Sequence, residues 1–98
     1  MNNFYELSCR YDARKSFYGK AMIKIVEDDK YYKEELYSYN TLVAYYVLDK
    51  TDDVFNKEYR YLGCYSQTTS RHQKEFFKQL GLDDAEIKEL IKYGVYKI

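Results

Sequence analysis

The sequence predicts an α+β domain: an antiparallel β-sheet of three to four strands followed by two helices packed on one face. Three observations carry this expectation. Ala21, Ile23 and Ile25 alternate with Lys20, Met22 and Lys24, the two-residue period of a strand with one wet face. Leu36–Leu48 is dense in tyrosine and β-branched residues, which favour strands. Beyond Ser66 the apolar spacing changes to that of a helix and stays so through a second helical segment. Strands first and helices afterwards is the order of a segregated α+β domain.

Taken in order, residues 3–9 read as a short strand and 11–16 as a polar loop. The alternating strand runs over 17–27, and 27–30 forms an exposed turn. Between Leu42 and Leu48 both faces are apolar, as in a central strand covered on each side. Ser38–Thr41 is either a bulge or a tight turn dividing two strands. Residues 49–57 form a polar connection with Asp52 and Asp53 at its tip. The last strand, 58–65, sets Tyr59, Tyr61 and Tyr65 on one face with Gly63, which lets the chain bend. The first helix gathers Gln73, Phe76, Phe77 and Leu80 on one side and ends at Gly81. In the second, Asp83 and Glu86 form a capping box, Ile87, Leu90 and Ile91 the apolar stripe, and Gly94 the stop. Residues 95–98 either return to the sheet edge or stay apart. The reading is one domain over 1–98, with 81–98 a helical C-terminal appendage.

A chain of 98 residues supports one modest core. Its formal net charge of zero gives no global attraction to nucleic acid. The charge is nevertheless uneven. Arg10, Arg14, Lys15 and Lys20 cluster near the start, and Arg60, Arg71, Lys74 and Lys78 cluster around the sheet-to-helix junction. Acidic residues concentrate in two loop-like segments, Glu27–Glu35 and Asp49–Glu58. Fourteen tyrosines without a tryptophan fit half-buried strands first and a binding surface second. Cys9 and Cys64 lack metal-ligand spacing, so neither a metal nor another cofactor is expected. The first fifteen residues lack the apolar run of a signal peptide, and no stretch has membrane-spanning length. The expected compartment is the cytoplasm, with reduced thiols and no membrane contact.

The densest polar chemistry lies in Tyr65–Lys78, YSQTTSRHQKEFFK. Ser70 with Gln73 fits a capping box, while Thr68 or Thr69 would start the helix slightly earlier. In either register Ser66, Thr68, Thr69 and Arg71 surround the free N–H groups of a first helical turn, the composition of an anion site. The plainer reading is that the hydroxyls only cap the helix and Arg71 pairs with Glu75 one turn on. His72 aligns with Phe76 and Leu80, which suits a histidine at the core edge better than a general base. With one histidine, no phosphate loop and no nucleophile motif, the sequence argues against an enzyme.

Three blocks, SFYGKA (16–21), LYSYNTLVA (36–44) and YSQTTSRHQKEFFKQLG (65–81), resemble a small family encoded by phages and mobile elements of low-GC Gram-positive bacteria. Its pattern runs SFYGKA, SYNTxVA, YSxTTxRHxxEFxxQ, and the likeness covers about residues 9–81. The resemblance directs attention to Ser16, Tyr18, Lys20, Tyr39, Asn40, Thr41, Ser66, Thr68, Thr69, Arg71 and His72, either as a site or as a hydrogen-bonded core network. The resemblance supplies a setting and no reaction. With the small size, the many tyrosines and the acidic segments it leads to the expectation of a non-catalytic accessory protein that binds a host macromolecule, such as a nucleic-acid-binding defence effector in anti-CRISPR fashion. Asp28, Asp29, Glu34, Glu35, Asp52 and Asp53 would then supply acidic contacts. The alternative is a DNA- or RNA-binding module using the helix start at Thr68–Arg71, with Arg10, Arg14, Lys15 and Lys20 around it. The oligomeric state is left open.

Overall fold

Strand-forming sequence reaches further than its apolar alternation suggests. The computed structural model describes residues 2–12, 16–51, 56–63 and 66–97. In chain order these build β1 (Asn2–Glu6), β2 (Ala21–Glu27), β3 (Tyr31–Ser38), β4 (Thr41–Asp49), β5 (Asn56–Tyr61), α1 (Gln67–Gln79), α2 (Asp84–Tyr93) and β6 (Val95–Lys97). All six strands form one antiparallel sheet in sequence order. The α+β class stands, but six strands replace the expected three to four.

Two features account for the difference. The segment YYKEE (31–35), expected within an acidic loop, is the first half of β3. Its charges sit on alternate sides, which hides a strand from any reading based on apolar residues alone. After α2, Gly94 at φ 77° turns the chain back, and Val95–Lys97 adds a sixth strand against β5. The question at 38–41 resolves as a turn. Tyr39 and Asn40 have φ of 51° and 68°, the signature of a two-residue type I′ hairpin loop. A bulge exists too, slightly later: Leu36 pairs with Ala44 but Tyr37 with Leu42, leaving Val43 as the extra residue.

Both helices lie over one face. That face carries Ala21, Ile23, Leu36, Ala44, Tyr46 and Tyr59, all buried, and receives Phe76 and Phe77 from α1 with Ile87 and Leu90 from α2. Leu82, between the helices, joins the same core, so residues 82–90 supply three of its members. The cap of α2 is the expected Asp83–Glu86 box, and Tyr96 of β6 donates to Glu86 Oε2 at 2.8 Å. The opposite face is uncovered by any described element. Register places Phe4, Lys24, Glu35, Tyr45 and Arg60 in one row across it. Lys33 with Glu35, and Arg60 and Lys97 with Glu58, form ion pairs at 3.2, 2.9 and 3.4 Å. That is the usual dress of a solvated sheet face. No described helix is long and apolar enough to cross a membrane.

Glu34 is the exception to this sorting. It lies on the helix-covered side, opposite Ile25 and Tyr46. Burial raises its carboxyl pKa above the ordinary range, with the Tyr32 hydroxyl working the other way. Tyr5 and Tyr46 are pushed up in turn, by burial first and the Glu34 charge second. A carboxyl whose pKa is higher folded than unfolded makes the folded state the better proton binder. Stability from this group is therefore present below the unfolded value and lost as pH rises through the folded one. Glu34→Gln should stabilise the protein at pH 7 by less than about 1 kcal/mol, because solvent screens a half-buried carboxylate. The gain should vanish toward about pH 4, where both states carry the proton. Urea unfolding at the two pH values checks this, and a variant less stable at pH 7 would contradict it.

Candidate functional site

The three sequence blocks meet at one end of the sheet. Phe17, Tyr18, Gly19 and Lys20 form a turn closed by the Lys20 N–H donating to the Phe17 carbonyl at 3.0 Å. Tyr18 and Gly19 stand at φ 54° and 75°, so this is a second turn with both central residues left-handed. Ser16 Oγ accepts from the Tyr18 N–H at 2.9 Å, and Glu6 Oε1 from the Gly19 N–H at 2.8 Å. The Tyr39 N–H donates to the Lys20 carbonyl at 2.9 Å, stitching the two left-handed turns together.

Beneath them lies a buried polar network. Ser38 Oγ lies 2.8 Å from His72 Nδ1 and 3.0 Å from Thr69 Oγ1. Ser66 Oγ donates to Thr69 Oγ1 at 3.2 Å and accepts the Thr69 N–H at 3.1 Å. Ser38, Thr69 and His72 are each 3% exposed or less. The Phe17 ring meets the imidazole edge-on at 4.5 Å between centroids, and the Tyr39 ring lies 5.9 Å away. One turn along α1, Gln73 Nε2 donates to the carbonyls of Val43 and Gly63 at 3.0 and 2.7 Å. The bulge at Val43 and the bend at Gly63 are thereby tied to the helix.

The junction candidates thus divide. The helix starts earlier than either predicted register: Ser66 is the N-cap, extended at φ −165°, with Thr69 at N3. The Ser70 N–H already donates to the Ser66 carbonyl, so Ser70 is inside the helix and forms no capping box with Gln73. Thr69 and His72 point into the core. Thr68 is half-buried, and Ser66 and Arg71 remain exposed. The first-turn hydroxyls therefore do not converge on an outside ligand. His72 is deeper than a core-edge residue, fully enclosed between α1 and the end of β3.

Glu75 does not pair with Arg71. Its buried carboxylate faces the loop after β1, where Oε1 accepts the N–H groups of Arg10, Tyr11 and Asp12 at 3.1, 2.8 and 2.8 Å. Oε2 accepts from Gln79 Nε2 at 2.7 Å, and that amide also donates to the Ser8 carbonyl at 2.7 Å. A fixed charge thus holds a nest of three successive amides. This clamp brings Arg10 and Tyr11 beside α1, where Tyr11 and Asp12 share a shallow cleft with Arg71, Lys74 and Lys78. Residues 11 and 12 thus adjoin the basic side of α1, while the Arg10 side chain lines a separate cleft with Tyr5, Glu34 and Gln79. Lys20 is exposed within the motif turns instead, and Arg14 and Lys15 lie outside the described residues.

The described acidic candidates do not form one surface. Asp28 accepts the N–H groups of Lys30 and Tyr31, both at 2.8 Å, which holds its carboxyl below the usual range and shapes the β2–β3 turn. Asp29 is exposed beside it. Strand alternation sends Glu34 to the covered face and Glu35 to the open face, where Lys33 and the Tyr37 hydroxyl engage it. Asp52 and Asp53 lie outside the described residues. Among the described residues no group of three or more histidine, cysteine, aspartate or glutamate side chains is placed to hold a metal ion.

Sequence reasoning missed Ser38, Gln73, Glu75 and Gln79 as structural ties. The signal was present: His72, Glu75, Phe76 and Gln79 follow the i, i+3, i+4, i+7 spacing of a buried stripe. Polar residues on that stripe require internal partners.

Residues 5–92 match the family model described as a family of unknown function (DUF8033), and the chain belongs to that family. Its matched span takes in the motif end, the Glu75 clamp and α2 almost to its last residue. No curated protein and no solved structure matches the chain significantly.

Glu75→Ala should orphan three backbone amides and cost about 2–4 kcal/mol, with Glu75→Gln costing less because an amide oxygen still accepts. Urea midpoints measure both. A change under about 0.5 kcal/mol for the alanine variant would remove the clamp from the account.

Proposed function

We propose that the chain is a small non-catalytic accessory protein, of the kind phages and mobile elements carry, and that it acts by binding a host protein. The contact surface is the motif end, with Tyr18 and Tyr39 as anchors and Lys20 and Asn40 beside them. One observation carries this reading. Tyr18 holds a left-handed backbone at φ 54° while its side chain is 77% exposed. A bulky residue in that region costs about 1–2 kcal/mol, and a ring left in water returns nothing to folding. Tyr39, at φ 51° and 52% exposed, stands one turn away, with part of its ring over the His72 imidazole and the rest open to solvent. Rigid tyrosines of this kind suit an interface, since they offer large contact area with little side-chain freedom to lose.

The enclosed imidazole of His72, and the use of Thr69 as an internal bond, support a binder over a catalyst. A nucleic-acid-binding host-defence effector, inhibited in anti-CRISPR fashion, is the partner class that the phage resemblance favours. The contact would be aromatic more than acidic, given how Asp28, Glu34 and Glu35 are used within the fold. A second reading, DNA or RNA along the exposed side of α1, is favoured by Arg71, Lys74 and Lys78 lying together beside Tyr11.

Tyr18→Gly separates folding from function. Glycine relieves the strain, so the variant should be as stable as the parent or more stable by up to about 1 kcal/mol. It should lose the host partner captured by the parent from nuclease-treated lysate. Capture of the same partner by Tyr18→Gly would overturn the tyrosine-anchor reading. Capture abolished by nuclease or by moderate salt would favour the second reading.

A further inference from the structure

The sheet has two edges, and they are not alike. The β6 edge is three residues long and includes Lys97, the short and charged edge that discourages pairing. The β1 edge, Asn2-Asn3-Phe4-Tyr5-Glu6, has five residues, no proline, no lysine and no bulge against β2. Its two aromatic residues are exposed, Phe4 by 60% and Tyr5 by 43%. Among the described residues nothing pairs with its outer side.

The hydrogen-bond phase of this edge can be read from its inner side. The Leu7 N–H donates to the Ala21 carbonyl at 2.9 Å, which makes Leu7 and Ala21 a hydrogen-bonded pair continuing the β1–β2 register. Alternation then turns the N–H and C=O groups of Asn3 and Tyr5 toward β2 and those of Asn2, Phe4 and Glu6 outward. A five-residue strand with this phase is self-complementary about its middle. In an antiparallel pairing with its own copy, Phe4 meets Phe4, and Asn2 meets Glu6 on each side of the two-fold. Every outward backbone group finds a partner. The single charge of the strand falls opposite an uncharged residue, so like charges do not meet. Shifting the two-fold to Asn3 or Tyr5 would leave outward groups of one end unmatched.

We propose that β1 is the interface for a second copy of this chain, joining two sheets edge to edge through a two-fold at Phe4. The axis is perpendicular to the sheet, so both helix pairs lie on the same side and the two open faces become continuous. Glu6, whose carboxylate also holds the Gly19 N–H, borders both regions, but Tyr18 and Tyr39 lie outside this contact, so the inference stands independently of the proposed partner.

Sedimentation velocity over a range of concentrations tests it on the full chain. The parent should sediment as a dimer. Phe4→Pro removes only an outward donor, a position where an edge strand accepts proline, so this variant should sediment as a monomer with unchanged circular dichroism. Phe4→Lys, which sets two positive charges face to face at the two-fold, should do the same without touching the backbone. In a Cys9→Ser, Cys64→Ser background, Phe4→Cys should form an intermolecular disulfide, since residues opposed across a hydrogen-bonded pair lie within bridging distance. A parent that is monomeric at every concentration, or a Phe4→Lys variant that remains dimeric, would overturn the proposal.

Discussion

The bond between Ser38 and His72 is the constraint on which the rest of the molecule turns. Ser38 is the last residue of β3, immediately before a left-handed turn, and His72 lies in the second turn of α1. Joining them fixes where the helix starts over the sheet and how it is rotated. Thr69 adds to the same hydroxyl, Phe17 packs against the imidazole, and the turns carrying Tyr18 and Tyr39 rest on this base. Farther down the helix Gln73 and Glu75 repeat the tactic with backbone groups of the bulge, the bend and the first loop. A helix held by four buried polar residues has little freedom to slide, because any shift breaks bonds in a low-dielectric interior where replacement partners are absent.

This arrangement explains how a small domain presents strained tyrosines without unfolding around them. Left-handed conformations at bulky residues persist only when the surroundings over-determine them. Here the Ser16 hydroxyl and the Glu6 carboxylate fix the first turn, while the Lys20 carbonyl fixes the second. The cost is local, while part of the support is brought in from β1 through Glu6 and passed from the first turn to the second through Lys20. The contact role proposed for this end calls for such a pre-ordered surface, since ordering a loop on binding subtracts from affinity.

The class of fold was legible because β2 and the two helices follow simple periodicities. Gly81, Gly94 and the Asp83–Glu86 box marked ends that the structure keeps. The missing strands were hidden for identifiable reasons. The first half of β3 alternates charges and tyrosines across its two sides, which reads as polar loop. Paired segments joined by Tyr39-Asn40 carry no glycine to announce a type I′ turn. Of the candidate site, the location was legible and the roles were not. Clustered hydroxyls suggest an anion site, yet a network partner such as Ser38, thirty-odd residues away, has no local signature. Glu75 was misread for the same reason: an i, i+4 arginine was visible in the sequence, and three amides from residues 10–12 were not.

A double-mutant cycle between Ser38 and His72 tests the central claim most directly. Ser38→Ala, His72→Leu and the double variant would be compared by urea unfolding. If the bond positions the helix, the double variant should be less destabilised than the sum of the single ones, by about 1–3 kcal/mol of coupling. Additivity within about 0.5 kcal/mol would mean that the two side chains are merely neighbours. The motif end would then need another foundation.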